Sequence, residues 1–159
     1  MEQCHATSVL IDGIGVLIRG PAGSGKSDLA LRLIDGGAAL VADDRVNLTA
    51  EGEKVRLSAP DRLKGLIEVR GVGLAEMATA DTSREAFLGL VVDLVPREEI
   101  ERLPDPETCM ILEHEFPLLR LAPFETSTPA KVRLAVKLVT GGARRLPLDR
   151  MLDAEQEME

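Results

Sequence analysis

Ile14-Gly15-Val16-Leu17-Ile18-Arg19 runs straight into Gly20-Pro21-Ala22-Gly23-Ser24-Gly25-Lys26-Ser27, and that into Asp28-Leu29-Ala30-Leu31-Arg32-Leu33-Ile34-Asp35-Gly36-Gly37. The first piece is a short apolar run of strand type. The third sets Leu29, Leu31, Leu33 and Ile34 among Asp28, Arg32 and Asp35, the pattern of an amphipathic helix packed on a sheet. Gly36-Gly37 predicts its end in a left-handed cap. Between the two, Gly20-x-x-x-x-Gly25-Lys26-Ser27 fits the P-loop pattern without exception. The spacing has a chemical reason. Glycines let successive backbone N–H groups turn inward around phosphate oxygens. Lys26 places a point charge on the β- and γ-phosphates, and the Ser27 hydroxyl ligates the Mg²⁺ that bridges them. The start of the helix adds its positive end. Gly20, Pro21, Ala22, Gly23, Ser24, Gly25, Lys26 and Ser27 are therefore the expected binding residues for a nucleotide or pyrophosphate.

Outward from this unit the chain is rich in strands. Residues 8–11 are apolar and are joined to 14–18 by the Asp12-Gly13 turn signal. Residues 39–42 form a short buried-type strand that ends in Asp43-Asp44. Further strands are expected at 46–48, 55–57, 66–69, 88–95, 109–112 and 118–121. Residues 129–138 read as a helix with Pro129 in its first turn. A doubly wound parallel sheet alternates strand and helix more regularly, so the expectation is an α/β domain with a mixed sheet. No repeat or linker divides residues 1–148. Residues 149–159 carry five acids and one Arg and read as an acidic tail.

Composition closes off several functions. The 159 residues amount to about one domain. Nineteen Lys and Arg against 27 Asp and Glu give a net charge of −8, which disfavours binding to a nucleic-acid backbone. With three Phe and neither Tyr nor Trp, stacking platforms for single strands or RNA are not expected. The N-terminus lacks the basic and apolar runs of a signal peptide. No stretch approaches the length of a membrane span. Cys4 and Cys109 have no CxxC spacing and read as reduced thiols, so a cytoplasmic location is expected.

A P-loop enzyme also needs an acid at a strand end to hold Mg²⁺ directly or through water. Leu90-Val91-Val92-Asp93 and Leu40-Val41-Ala42-Asp43-Asp44 both qualify. Adjacent side chains on a strand point to opposite sides, so only one of Asp43 and Asp44 can face the phosphates fully.

Taken together these blocks resemble the catalytic domain of HPr kinase/phosphorylase. The resemblance rests on His5, residues 9–18, the P-loop, Val41-Ala42-Asp43-Asp44, and Glu68-Val69-Arg70-Gly71-Val72-Gly73, the last being peculiar to that family. It continues more weakly through Glu101-Arg102-Leu103 and residues 129–136. The resemblance implies a P-loop kinase domain similar to phosphoenolpyruvate carboxykinase, with a mixed sheet. It implies a serine kinase/phosphorylase that uses ATP or pyrophosphate with Mg²⁺ to phosphorylate the phosphocarrier protein HPr. The reverse reaction uses inorganic phosphate. Asp44 looks like the general base, and Ser27, Glu68 and Asp43 like Mg²⁺ ligands. His5 resembles the active-site histidine beside Asp44, Arg102 a catalytic arginine, and 127–132 the loop linked to dephosphorylation. The family also implies a homo-oligomer. Without the resemblance, Glu68 and Arg70 read as a surface ion pair before a turn, and Arg102 as a solvated salt-bridge partner.

The sequence departs from the family in three places. No counterpart of the family's N-terminal domain is expected, the stretch between Glu68 and Arg102 reads as shorter, and residues 129–133 replace a Pro-Gly-Arg-Asn-like run. Either Lys131 or Arg133 is left to do the work of that run. Residues 131–145 hold five basic side chains and no acid, a face suited to docking a protein substrate. The alternatives are another P-loop kinase and a nucleotide-sensing regulator of the phosphotransferase system. A metabolite kinase has no reason to carry the 68–73 block. A sensor has no reason to keep both Lys26 and Asp44.

Overall fold

The sheet branches at one strand. Glu85–Leu94 (β9) is ten residues long and apolar over most of its length. One edge pairs in parallel with Ile14–Arg19 (β3), from Gly15 opposite Leu88 to Arg19 opposite Asp93. The other edge is shared. Its first residues pair antiparallel with Lys54–Ser58 (β6), and its last, Val91 to Leu94, pair in parallel with His114–Leu121 (β11). A strand with different partners along one edge makes the sheet curl. Beyond β6 lie Val46–Glu51 (β5) and Glu2–Cys4 (β1). Beyond β3 lie Thr7–Ile11 (β2) and Ala39–Ala42 (β4). Glu107–Ile111 (β10) pairs with β11. A separate hairpin is made by Leu66–Val69 (β7) and Gly73–Glu76 (β8). The helices are Lys26–Asp35 (α1) and Thr128–Thr140 (α2). This is the mixed α/β architecture expected, in a computed structural model that describes residues 1–147 and Glu157. The rest of the expected acidic tail lies outside the described residues.

Strand alternation builds two cores. Val16 and Ile18 of β3, with Val9, Leu90 and Val92, face Leu29, Leu33 and Ile34 of α1 and Val132 and Val136 of α2. Leu17 points the other way, onto Val41, Val46, Leu57, Val91 and Phe116. Each fully buried Leu, Ile or Val stabilises this arrangement by about 1.5–3 kcal/mol relative to exposure. No helix among the described residues is long and apolar enough to cross a membrane.

Of the Gly36-Gly37 pair expected to end α1 in a left-handed cap, Gly37 is the left-handed residue (φ 109°), while Gly36 has φ −90°. The N–H groups of Gly37 and Ala38 donate to Ile34 and Leu33, which closes the helix in a Schellman arrangement. Strands β1 and β8 were not expected. Three residues or a solvent-facing alternation carry almost no apolar signal.

Candidate active site

Residues 20–27 link β3 to α1 and run from the end of a buried strand to the first turn of a buried helix. Lys26 Nζ donates to the carbonyls of Gly20 and Pro21 at 2.8 and 3.1 Å, so the ammonium closes the loop on itself. Ser27, one position further on, has its hydroxyl directed at the end of β4.

There the chain places Asp43, which is 5% exposed. Ser27 Oγ donates to its Oδ1 at 2.6 Å, and Thr7 Oγ1 donates to the same oxygen at 3.0 Å. The backbone N–H of Glu68 donates to Oδ2 at 3.0 Å. All three donors are neutral. Among the described residues no cation pairs with this buried carboxylate. A buried carboxylate with hydrogen bonds but no counter-charge is costly to hold.

Asp44 lies beyond the end of β4 and, unlike Asp43, is exposed. It has a left-handed backbone (φ 67°), uncommon for a residue with a side chain, and its N–H meets Thr7 Oγ1 at 3.4 Å. Its carboxylate is 65% exposed and lies 3.7 Å from His5 Nδ1. One aspartate is thus built into the structure, and its neighbour is presented to solvent beside an imidazole.

Glu68 enters through the β7–β8 hairpin. Ile67, 1% exposed, anchors that hairpin in the core under α1. The anchor brings the Glu68 backbone to Asp43 and leaves the Glu68 side chain exposed. Arg70 is also exposed, and no ion pair joins it to Glu68.

Other expected residues fall elsewhere. Asp93 takes both its oxygens to Arg19, at 2.7 and 3.0 Å, across the β3–β9 pair. That bond holds the Arg19 guanidinium above its usual pKa. Cys4 and Cys109 sense the same arginine, yet burial pushes both thiols up. Arg102 is exposed in the connection between β9 and β10. It forms no hydrogen bond or ion pair with residues 20–27, Asp43, Asp44 or Glu68. Residues 129–138, expected as a helix, lie within α2, so the 127–132 stretch that the resemblance places in a loop is the N-cap and first turn of that helix. Arg133 donates to the Leu33 carbonyl at the far end of α1. Lys131 instead lies 3.8 Å from Glu125.

Thr7 was missed, although it bridges the two aspartates and is fully buried. The only available signal was a hydroxyl opening an otherwise apolar strand. Arg32 was also missed. It pairs with Asp28 one turn back, and its guanidinium donates to the carbonyls of Pro123 and Glu125. It thereby fastens the segment after β11 onto α1.

The described residues contain no group of three or more His, Cys, Asp or Glu side chains arranged to hold a metal. Mg²⁺ does not require one. It is usually bound by one or two protein groups, with phosphates and waters completing the shell. The Ser27 hydroxyl and the uncompensated Asp43 carboxylate match that donor set, and the backbone of Glu68 is bonded to Asp43.

The sequence model of the HPr Serine kinase C-terminal domain family matches residues 1–122, which include every residue discussed above up to Arg102. An HPr kinase/phosphorylase of Geobacillus kaustophilus (strain HTA426) is 38% identical over 126 residues, covering 74% of this chain and 40% of the relative. One from Bordetella pertussis (strain Tohama I / ATCC BAA-589 / NCTC 13251) is 45% identical over 109 residues, covering 63% of this chain and 35% of the relative. The chain thus spans about two fifths of the curated relatives it matches. The solved Hpr(Ser) kinase/phosphatase from Coxiella burnetii superposes with a TM-score of 0.77 at 29% identity, over 86% of this chain and 95% of that one.

Proposed function

This chain belongs to the HPr Serine kinase C-terminal domain family, and from that premise we propose that it transfers the γ-phosphoryl group of ATP to a serine of HPr. The observation that carries the reading is the pairing of two unlike aspartates. Asp43 is buried on the Ser27 hydroxyl without a cation, and Asp44 is exposed beside His5. The first suits a Mg²⁺ site, and the second suits a base that must meet a protein substrate.

In this reading residues 20–27 act as a P-loop in a domain related to phosphoenolpyruvate carboxykinase. Its N–H groups and Lys26 hold the β- and γ-phosphates, and Lys26 exchanges its bonds to Gly20 and Pro21 for phosphate oxygens. Ser27, Asp43 and Glu68 hold Mg²⁺, which offsets charge on the transferring group when bound. Asp44 accepts the proton of the serine hydroxyl as its oxygen attacks the γ-phosphorus. The bond to the β-γ bridging oxygen breaks, and ADP leaves. His5 positions the Asp44 carboxylate.

In phosphorolysis, the reverse of transfer from pyrophosphate, an oxygen of inorganic phosphate attacks the phosphorus of phosphoserine and the bond from that phosphorus to the serine oxygen breaks. Pyrophosphate forms, and Asp44 returns the proton to the serine oxygen. In this reading Lys131 acts from the 127–133 segment, because Arg133 is engaged with the Leu33 carbonyl of α1. Arg102 acts only if substrate binding brings its loop to the phosphates. The 131–145 face receives HPr, and the protein works as a homo-oligomer.

The experiment is an HPr assay in both directions. With ATP and Mg²⁺ one phosphate is added to a serine, and with inorganic phosphate the product releases pyrophosphate. Asp44→Asn lowers transfer about 100- to 10,000-fold and leaves nucleotide affinity within a few-fold. Equal loss of binding and transfer contradicts the base assignment.

A further inference from the structure

The chain has three aromatic side chains, and they are used in three ways. Phe116 is buried in the core between the sheet layers. Phe87 lies under the Lys54 ammonium, 4.9 Å from its ring centroid. Phe124 is 69% exposed and stands at the lip of the 20–27 loop. Its ring edge packs on Gly25 so closely that a Cβ there would lie 2.8 Å from Cζ and 2.9 Å from Cε1. Gly25 therefore has two reasons to be glycine, its left-handed backbone (φ 98°) and this ring.

Exposure of a single apolar side chain is ordinary and decides nothing. What distinguishes Phe124 is how firmly its segment is held. Arg32 donates to the carbonyls on both sides of it, those of Pro123 and Glu125. Just beyond, Thr128 Oγ1 donates to the Ala122 carbonyl at 2.6 Å, and Thr128 N–H donates to Glu125 at 3.2 Å. The backbone carrying the ring is thus tied from α1 and from the start of α2, while the ring stays in water. An aromatic ring fixed beside a phosphate loop and left open is a preorganised stacking surface.

We propose that Phe124 is the platform on which the base of the bound nucleotide stacks. ATP is then held at both ends, and pyrophosphate by the loop alone. The inference rests on the reading of residues 20–27 as the phosphate site. It adds a residue that sorts the two phosphoryl donors from each other. Every base has a π face, so stacking favours nucleotides over pyrophosphate without choosing strongly among purines.

The test uses binding, so it does not depend on transfer to HPr. The chain has no Trp or Tyr, so Phe124→Trp installs a single indole reporter. Its emission should be quenched by ADP and by GDP, each with Mg²⁺, and not by pyrophosphate with Mg²⁺. Phe124→Ala and Phe124→Leu should each weaken ADP binding about 5- to 100-fold by calorimetry and leave pyrophosphate binding within about twofold. Leu keeps the apolar contact with Gly25 and loses only the ring face, so it separates stacking from packing. Equal weakening for ADP and pyrophosphate would make the ring a prop for the loop and overturn the proposal. Unchanged affinity for both, or an indole that ignores ADP, overturns it as well. Absence of phosphate transfer with nucleotide bound and the indole quenched would instead remove the kinase reading and leave the platform standing.

Discussion

Asp43 and Asp93 both stand at strand ends in one sheet, and both follow apolar runs that fit a Mg²⁺-binding acid. The structure neutralises only one of them. Asp93 is locked in a two-point bond to Arg19 from the neighbouring strand. Asp43 is the more buried of the two and receives only two hydroxyls and one amide. A carboxylate that already has its guanidinium contributes to folding. One buried among neutral donors retains its attraction for a cation supplied from outside. Burial alone does not separate the two roles; the charge of the partners does.

The largest expected effect tests that distinction directly. Asp43→Asn keeps an acceptor for Ser27 and Thr7 and removes the charge. We expect transfer to fall about 1000-fold, and ADP affinity, which Mg²⁺ should strengthen in the native protein, to stop responding to Mg²⁺. If calorimetry shows the same Mg²⁺ response in the variant, Asp43 is as structural as Asp93 and the contrast collapses. Asp93→Asn should do the opposite. It strands Arg19 without its partner and should lower the unfolding free energy by about 1–2 kcal/mol in urea titrations, with transfer within twofold. The value sits below the range for fully buried pairs because the Arg19 side chain is 36% exposed.

A smaller effect is expected at Thr7, whose hydroxyl serves both aspartates of the site. Thr7→Val keeps the shape and removes one donor to Asp43 and one acceptor for the Asp44 N–H. A loss of about 1 kcal/mol, read as roughly fivefold in kcat, is expected. KM for ATP should be steady, because Ser27 still reaches Asp43. A rise in KM with kcat unchanged would place Thr7 with the phosphate loop instead of with the aspartates.

Without the family resemblance, their apolar runs alone leave Asp43 and Asp93 as alternative candidates, and the reason is physical. Periodicity reports that a strand ends in a carboxylate. It does not report which strand lies alongside, and Arg19 meets Asp93 only because β3 and β9 pair in that register. Local chemistry was legible. The glycine loop and its flanking strand and helix follow from spacing within a few residues. Two of the hairpin turns show the same limit. Asp12-Gly13 announces its left-handed pair, with φ of 49° and 78°. Leu112-Glu113 adopts a similar pair, at 48° and 67°, with residues that carry no such signal. There the pairing of β10 with β11 overrides local preference. Arg32 and Phe124 escaped for the same reason, since their partners lie about 90 residues away or in a loop with no periodicity.

The smallest expected effect is the sharpest test of the comparison. If the Arg19–Asp93 pair only compensates itself, replacing both members together should cost little. Paired charges removed as a unit are often neutral when apolar groups fill the space. Arg19→Met with Asp93→Leu should therefore unfold within about 1 kcal/mol of the native protein and keep its transfer activity, although Asp93→Asn alone is destabilised. Cys4 offers an independent readout. Arg19 pulls its thiol pKa down against the larger effect of burial, so the double replacement should raise that pKa further and slow alkylation of Cys4 in mildly alkaline buffer. At Cys109 Arg19 lowers the pKa and Asp93 raises it, so losing both should change its alkylation less. Slower transfer in the double variant would mean that Asp93 serves the site after all, and a paired counter-cation would no longer separate a structural aspartate from a functional one.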